Sequence, residues 1–275
     1  MRKRFLTLAV TASLFVFSGC TSQTVNETSS KTNEDVKINE KITDEIKERG
    51  YLRTGCKTDV PELSFYDEKS GEWTGLETEL AYKTAAEIFG VTPEDAKEQN
   101  LVHFTGVTVA DRETVLESGE IDCMLATYTI TDERKERFAI SDSYYTSYIG
   151  LMVKDRGEDI NSLGSQSIHS IAELDGKYIG VPRNATTRKD FIDYINMMNT
   201  LKVNPIFCEY EGYDILYDAL KNGNIDVIAV DVSILSGYDD NTTKILDDRF
   251  APQKYGAAVL KENAPLIDVI NKVIE

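Results

Sequence analysis

The chain has 275 residues, 41% of them hydrophobic and 28% charged, with 47 acidic against 30 basic side chains, for a formal net charge of -17. That apolar content can build a core for one large domain or two ordinary ones, whereas the acidic surface repels phosphate backbones and anionic headgroups, which excludes nucleic acid and polybasic membrane docking. The 4 cysteines and the 2 histidines, His103 and His169, show no C-x-x-C or Cys/His spacing, so neither a metal nor any other cofactor is expected.

The chain opens Met1-Arg2-Lys3-Arg4, runs through an apolar stretch from Phe5 to Phe17, and reaches Ser18-Gly19-Cys20. A basic start, a short apolar segment and small residues before a cysteine mark a bacterial lipoprotein export signal over residues 1–19, with diacylglycerol added at Cys20. The apolar run is too short to span a bilayer. Residues 20–43 are rich in Ser, Thr, Asn, Glu and Lys, with Val25, Val36 and Ile38 the only large hydrophobes before Ile42. Such a segment buries too little surface to fold, and a solvated tether is expected there. Cys56, Cys123 and Cys208 remain beyond the lipidated cysteine, an odd set that closes no disulfide framework.

Strand-like runs then alternate with amphipathic ones. Tyr51 to Cys56 is the first strand, and Leu76 to Phe89 a helix with Leu80, Ala81, Ala85 and Ile88 on one face. Leu101 to Val107, Ile121 to Thr127 and Tyr148 to Val153 follow as strands, with a helix over Asp111 to Ser118. In the second half, Tyr178 to Val181, Asn204 to Phe207, Asp226 to Val230 and Gly256 to Leu260 read as strands, Thr187 to Met197 and Asp214 to Asn222 as helices, and Leu266 to Glu275 as a short final helix. Alternation of this kind predicts parallel sheets covered by helices. An internal echo, Thr114-Val115-Leu116-Glu117-Ser118-Gly119-Glu120-Ile121-Asp122 against Leu216-Tyr217-Asp218-Ala219-Leu220-Lys221-Asn222-Gly223-Asn224-Ile225-Asp226, sets a left-handed glycine after a helix and before an apolar strand twice over. Two similar α/β lobes are implied.

Several stretches carry more. Gly50-Tyr51-Leu52-Arg53-Thr54-Gly55 precedes Lys57-Thr58-Asp59-Val60-Pro61; Gly71-Glu72-Trp73-Thr74-Gly75-Leu76-Glu77-Thr78-Glu79-Leu80-Ala81 opens the first long helix; Ala126-Thr127-Tyr128-Thr129-Ile130-Thr131-Asp132-Glu133-Arg134 follows the third strand. Ser141-Asp142-Ser143-Tyr144-Tyr145, Ala185-Thr186-Thr187, Glu209-Tyr210-Glu211-Gly212-Tyr213 and Val230-Asp231 complete the set. From Ile46 to Glu275 the chain resembles the extracytoplasmic solute-binding proteins of polar amino-acid ABC transporters, nearest to the aspartate/glutamate-binding branch. The resemblance implies a type II periplasmic-binding-protein fold, α/β in class: two doubly wound lobes joined by a two-stranded hinge that closes on ligand. It divides the chain into lobe one at residues 44–149, lobe two at 150–253 and a return to lobe one at 254–275, the last short by family standards, which leaves lobe one thinly covered. Implied partners are a small amino-acid ligand and an ABC permease, with a monomer held on the outer face of the cytoplasmic membrane by its lipid.

Within that resemblance Arg134 matches the clamp for the α-carboxylate, Thr186 an assisting backbone amide and hydroxyl, and Asp231 the carboxylate for the ammonium. Thr127 and Thr129 add hydrogen-bonding groups, while Lys57, Arg112 and Tyr213 are expected to read the side chain. Lys57, Arg112 and Arg134 against Asp231 leave a surplus of two positive charges, which predicts an acidic ligand. On the residues alone, Arg134 within Asp132-Glu133-Arg134-Lys135-Glu136-Arg137 also reads as a solvated helix start, Lys57 as a side chain snorkelling to water, and Arg112 as the partner of Glu113. Two alternatives remain. One is an exported cyclohexadienyl or arogenate dehydratase on the same lobes, with Glu62 as its acid; the other is a sensor subunit for another polar amino acid such as glutamine.

Overall fold

The computed structural model describes residues 33–155 and 168–274, with side chains from residue 41. The export signal and Cys20 lie outside the described residues.

The first element is a helix, α1 (Asn33–Arg49), where the last part of a tether is expected. Its Ile42 and Ile46 are buried against the helix packed on the first sheet, and that tertiary contact stabilises a segment too polar to hold a helix alone. Strand β1 (Leu52–Cys56) leads into a small antiparallel sheet of β2 (Asp59–Val60), β3 (Ser64–Asp67) and β4 (Glu72–Thr74). Helices α2 (Leu76–Phe89) and α3 (Pro93–Glu98), strand β5 (Val102–Gly106), helix α4 (Arg112–Glu117), strand β6 (Cys123–Leu125), helix α5 (Asp132–Arg137) and strand β7 (Phe138–Ile140) follow. The long strand β8 (Tyr145–Lys154) then enters the second sheet.

That second unit contains β9 (Tyr178–Pro182), α6 (Thr187–Met197), β10 (Ile206–Tyr210), α7 (Tyr213–Lys221), β11 (Val227–Asp231), α8 (Val232–Leu235), β12 (Thr243–Ile245) and β13 (Phe250–Tyr255). Strand β14 (Ala258–Leu260) and helix α9 (Pro265–Ile274) return to the first unit. The first sheet runs β5-β1-β6-β14-β7, the second β10-β9-β11-β8-β12, with β13 on β8.

The expected parallel pairing holds at the centre of each large sheet, and antiparallel strands are added to it. β1, β5 and β6 pair in parallel, as do β9, β10 and β11, but β14 is antiparallel to β6 and β7, and β8 is antiparallel to β11, β12 and β13. The reason is topological: a chain that leaves one sheet, builds a second and returns must do so on an antiparallel ribbon, here β8 and β13. The expected boundaries at 149/150 and 253/254 fall inside those two strands.

Each sheet is covered on both faces. In the first, Leu80, Ala81 and Ala85 of α2 pack with Leu266, Ile267 and Ile270 of α9 and with Ile42 and Ile46 of α1, while Leu116, Met124, Tyr128 and Phe138 fill the other face. The thin cover expected on lobe one is therefore supplied in part by α1. Gly119 and Gly223 adopt φ of 73° and 76°, the left-handed geometry that their echo predicts. The apolar cluster around Leu216 and Ile234 of the second unit extends to Val60, Leu63 and Val109 of the first, so the two lobes touch.

Candidate functional site

The cleft between the lobes is lined by Arg112, Thr127, Thr129, Pro182, Ala185, Thr186, Thr187, Tyr213, Val230, Asp231 and Ile234. Six of the eight residues expected at the site, Arg112, Thr127, Thr129, Thr186, Tyr213 and Asp231, lie on this lining. Lys57 and Arg134 are not on it.

Arg112 begins α4 directly after the turn that follows β5, with 2% of its surface exposed. Its Nη1 donates to Ala126 O at 2.6 Å and Thr127 O at 3.1 Å. Nε, buried, has no partner among the described residues. Glu113 is not its partner; that carboxylate instead takes Tyr128 OH and lies 3.5 Å from Arg134 Nε. An arginine on the cleft lining, fixed by one terminal nitrogen, keeps further N–H groups for a carboxylate. Thr127, beside it, adopts φ of 48° and has a buried side chain.

Arg134 sits in α5, whose Thr131 caps it by accepting from Arg134 N at 3.1 Å. Burial, then the nearby Arg112, pull its basicity down to about 10. Its guanidinium carbon lies 3.9 Å from the Tyr128 ring centroid, and Arg112 approaches the same ring at 5.0 Å. Nη1 donates to Thr129 O at 2.7 Å and Nη2 to Asn184 O, on the opposite lobe, at 3.2 Å. The charge run around Arg134 is thus no solvated helix start at this residue, although Arg137 in the same run stays half exposed.

Lys57 is 1% exposed, which removes the snorkelling alternative. Its Nζ lies 3.0 Å from Asp59 Oδ1 and 4.6 Å from the Tyr213 ring centroid. Burial lowers the lysine's affinity for its proton more than Asp59 restores it.

Asp231 ends β11 at the first turn of α8. Tyr255 OH donates to Oδ2, and Ser233 Oγ lies 3.1 Å from the same hydroxyl. Oδ1 has no bond among the described residues. Burial pushes Asp231 up to about 6, against the opposing pull of the Tyr255 hydrogen bond and the charges of Arg112 and Arg134. An ionised Asp231 is therefore held in a costly state that a ligand cation would relieve.

Two buried residues at the site escape sequence reading. Glu77, 0% exposed, accepts from Thr127 N at 2.6 Å, Tyr144 OH at 2.5 Å and Ser64 Oγ at 2.8 Å. Burial raises its acid, which these bonds partly offset. Its signal is present in the sequence, because Glu77 shares the apolar face of Leu80, Ala81 and Ala85. Gln253, on β13, is 1% exposed and bonds residues of both lobes. Asp59, Glu77 and Glu113 together also alter the charge argument: with them the surplus of two positive charges around the cleft becomes a deficit of one. Glu62, the acid that a dehydratase would need, is exposed.

The model of the bacterial extracellular solute-binding proteins, family 3, matches residues 52–275. The chain belongs to that family. It is 27% identical over 267 residues to a glutamine-binding protein of Geobacillus stearothermophilus, covering 94% of this chain and 93% of that one. It is 23% identical over 240 residues to the glutamate-binding protein GluB of Corynebacterium efficiens, covering 83% and 74%. A solved periplasmic binding protein of an ABC transporter from Brucella ovis, with glutathione bound, superposes with a TM-score of 0.70 at 25% identity, over 84% of this chain and 68% of that one. The fold is of the periplasmic-binding-protein type II class. Among the described residues no helix is long and apolar enough to cross a membrane.

Proposed function

We propose that this protein is an extracytoplasmic receptor for an amino acid with an acidic side chain, aspartate or glutamate, which it delivers to an ABC permease by closing its cleft. The observation that carries the reading is Arg112, fixed by one terminal nitrogen, on the lining of a cleft whose other pole is Asp231. In this reading Asp231 takes the ammonium, Arg112 the side-chain carboxylate, and Arg134 the α-carboxylate through the second N–H on each of its terminal nitrogens. Thr127 Oγ1 adds a donor or acceptor, and Tyr213, backed by Lys57, closes the side-chain end. The basic start and the small residues before Cys20 support anchoring of a monomer by lipid at that cysteine; loss of fatty-acid labelling in Cys20→Ser is the expected result.

Glutamine is the second reading, favoured by the buried acids Asp59, Glu77 and Glu113, which cancel the cationic surplus. Calorimetry of the protein against the twenty amino acids separates the two. Glutamate or aspartate is expected to bind more tightly than glutamine by about 2 kcal/mol, roughly thirtyfold. Tighter binding of glutamine than of both acids would overturn the acidic specificity, and no binding of any amino acid would overturn the receptor reading.

A further inference from the structure

Gln253 lies on β13 beside a bulge, its strand register shifting between Phe250 and Pro252. Its Oε1 accepts from Thr129 Oγ1 of lobe one at 2.8 Å and from Thr186 Oγ1 of lobe two at 2.9 Å. Its Nε2 donates to Asp190 Oδ2 and to Ala251 O, each at 3.0 Å. The orientation of this amide is fixed by chemistry: a carboxylate and a carbonyl can only accept, so the amino group must face Asp190 and Ala251 and the oxygen must face the threonines.

A consequence follows for the cleft. A threonine hydroxyl has one proton, and in both Thr129 and Thr186 that proton is committed to Gln253 Oε1. What each hydroxyl can still offer a ligand is a lone pair. Both residues line the cleft, as does Asp231, whose Oδ2 accepts from Tyr255 OH and whose Oδ1 has no partner among the described residues. We infer that Gln253 is a positioning residue that turns Thr129 and Thr186 into hydrogen-bond acceptors and so dedicates this part of the cleft to the α-ammonium of the ligand. The inference rests on the amino-acid reading above and revises one part of it. The Thr186 hydroxyl does not assist the carboxylate, because a hydroxyl whose proton is committed would set a lone pair against a negative charge. The carboxylates are left to Arg112, Arg134 and backbone amides.

The test is a ratio rather than an affinity, since a merely structural role would weaken all ligands alike. Binding of L-glutamate is measured against glutarate, and of L-glutamine against glutaramate, each partner lacking only the amino group. In the unmutated protein the amino form is expected to bind at least about a hundredfold more tightly. Gln253→Met frees both hydroxyl protons and should cut that ratio at least about tenfold. Thr186→Val, at a half-buried position, decides the matter even if Gln253→Met melts. It should weaken the amino ligands severalfold and leave glutarate and glutaramate unchanged. Equal weakening of both classes in Thr186→Val, or an unchanged ratio in a folded Gln253→Met, would overturn the inference while the receptor reading stands. Failure of the unmutated protein to bind any of the twenty amino acids would overturn both.

Discussion

The two walls of the cleft are built differently. Lobe one contributes the cations, Arg112 on the lining with Lys57 and Arg134 off it, and each is locked by carbonyls, a ring or an acid of its own lobe. Lobe two contributes Asp231, a single carboxylate on the lining that burial holds up at about 6. A zwitterion answers both walls at once, while a lone carboxylate or a lone ammonium answers one. Charge division between lobes therefore links ligand chemistry to closure: the ligand binds most tightly where both walls reach it, and it shifts the population toward that state. Direct contacts already cross the gap, from Arg134 Nη2 to Asn184 O and from Asn184 Nδ2 to Ala110 O at 2.9 Å.

The contrast is broken most severely at Asp231. Asp231→Asn removes the anionic wall and is expected to cost roughly 3 to 5 kcal/mol of amino-acid affinity, since a ligand ammonium would be left unpaired. The free protein should at the same time become no less stable at pH 7.5. Ionised Asp231, raised from 3.8 to about 6, costs the folded state about 3 kcal/mol that the amide does not. Calorimetry and thermal melting together check this; a variant that binds as its parent does would remove Asp231 from the site.

Next in size is a change far from either wall. Ile46→Ala on α1 should lower stability by roughly 2 to 5 kcal/mol through the cavity it leaves, with ligand affinity unaltered, because Ile46 packs against α2 and α9 and not against the cleft. An unfolding curve superimposable on that of the parent would show that α1 does not cover lobe one.

Arg112→Met targets the cationic wall. It should cost glutamate about 2 kcal/mol, and glutamine much less, so the preference between them closes. Loss of equal size for both ligands would mean that Arg112 holds the α-carboxylate rather than the side chain.

The smallest effect is in pH. The ligand ammonium pairs with ionised Asp231, so affinity should be level above pH 6 and fall by up to about tenfold for each pH unit below it. The same group has the opposite sign in stability. Its folded pKa lies above its ordinary value, so its contribution to the ligand-free fold is fully present below pH 3.8 and is lost as pH rises through about 6. Affinity that stays level from pH 8 to pH 5 would break the link between Asp231 and the ammonium.

Much of this protein is written locally. The periodicity of Leu80, Ala81, Ala85 and Ile88 sets α2, the Thr187 to Met197 region becomes α6, and the glycines at 119 and 223 end their helices in left-handed geometry, all from interactions within a few residues. The motif residues at 112, 127, 129, 186, 213 and 231 likewise reach one cleft, because ligand groups of an open α/β sheet gather at strand ends and the sequence shows where those ends fall. What the tertiary structure alone decided is which charges meet. Asp59 beside Lys57, Glu113 beside Arg134 and Glu77 beneath Thr127 reverse the charge inferred from the motif residues. Gln253, remote in sequence from both threonines, sets their hydrogen-bond polarity. Electrostatic and hydrogen-bond partners are chosen by distance in space and by burial, and neither is a property of sequence neighbours. Helix α1 makes the same point for packing: a polar segment folds because α2 and α9 offer Ile42 and Ile46 a place to be buried.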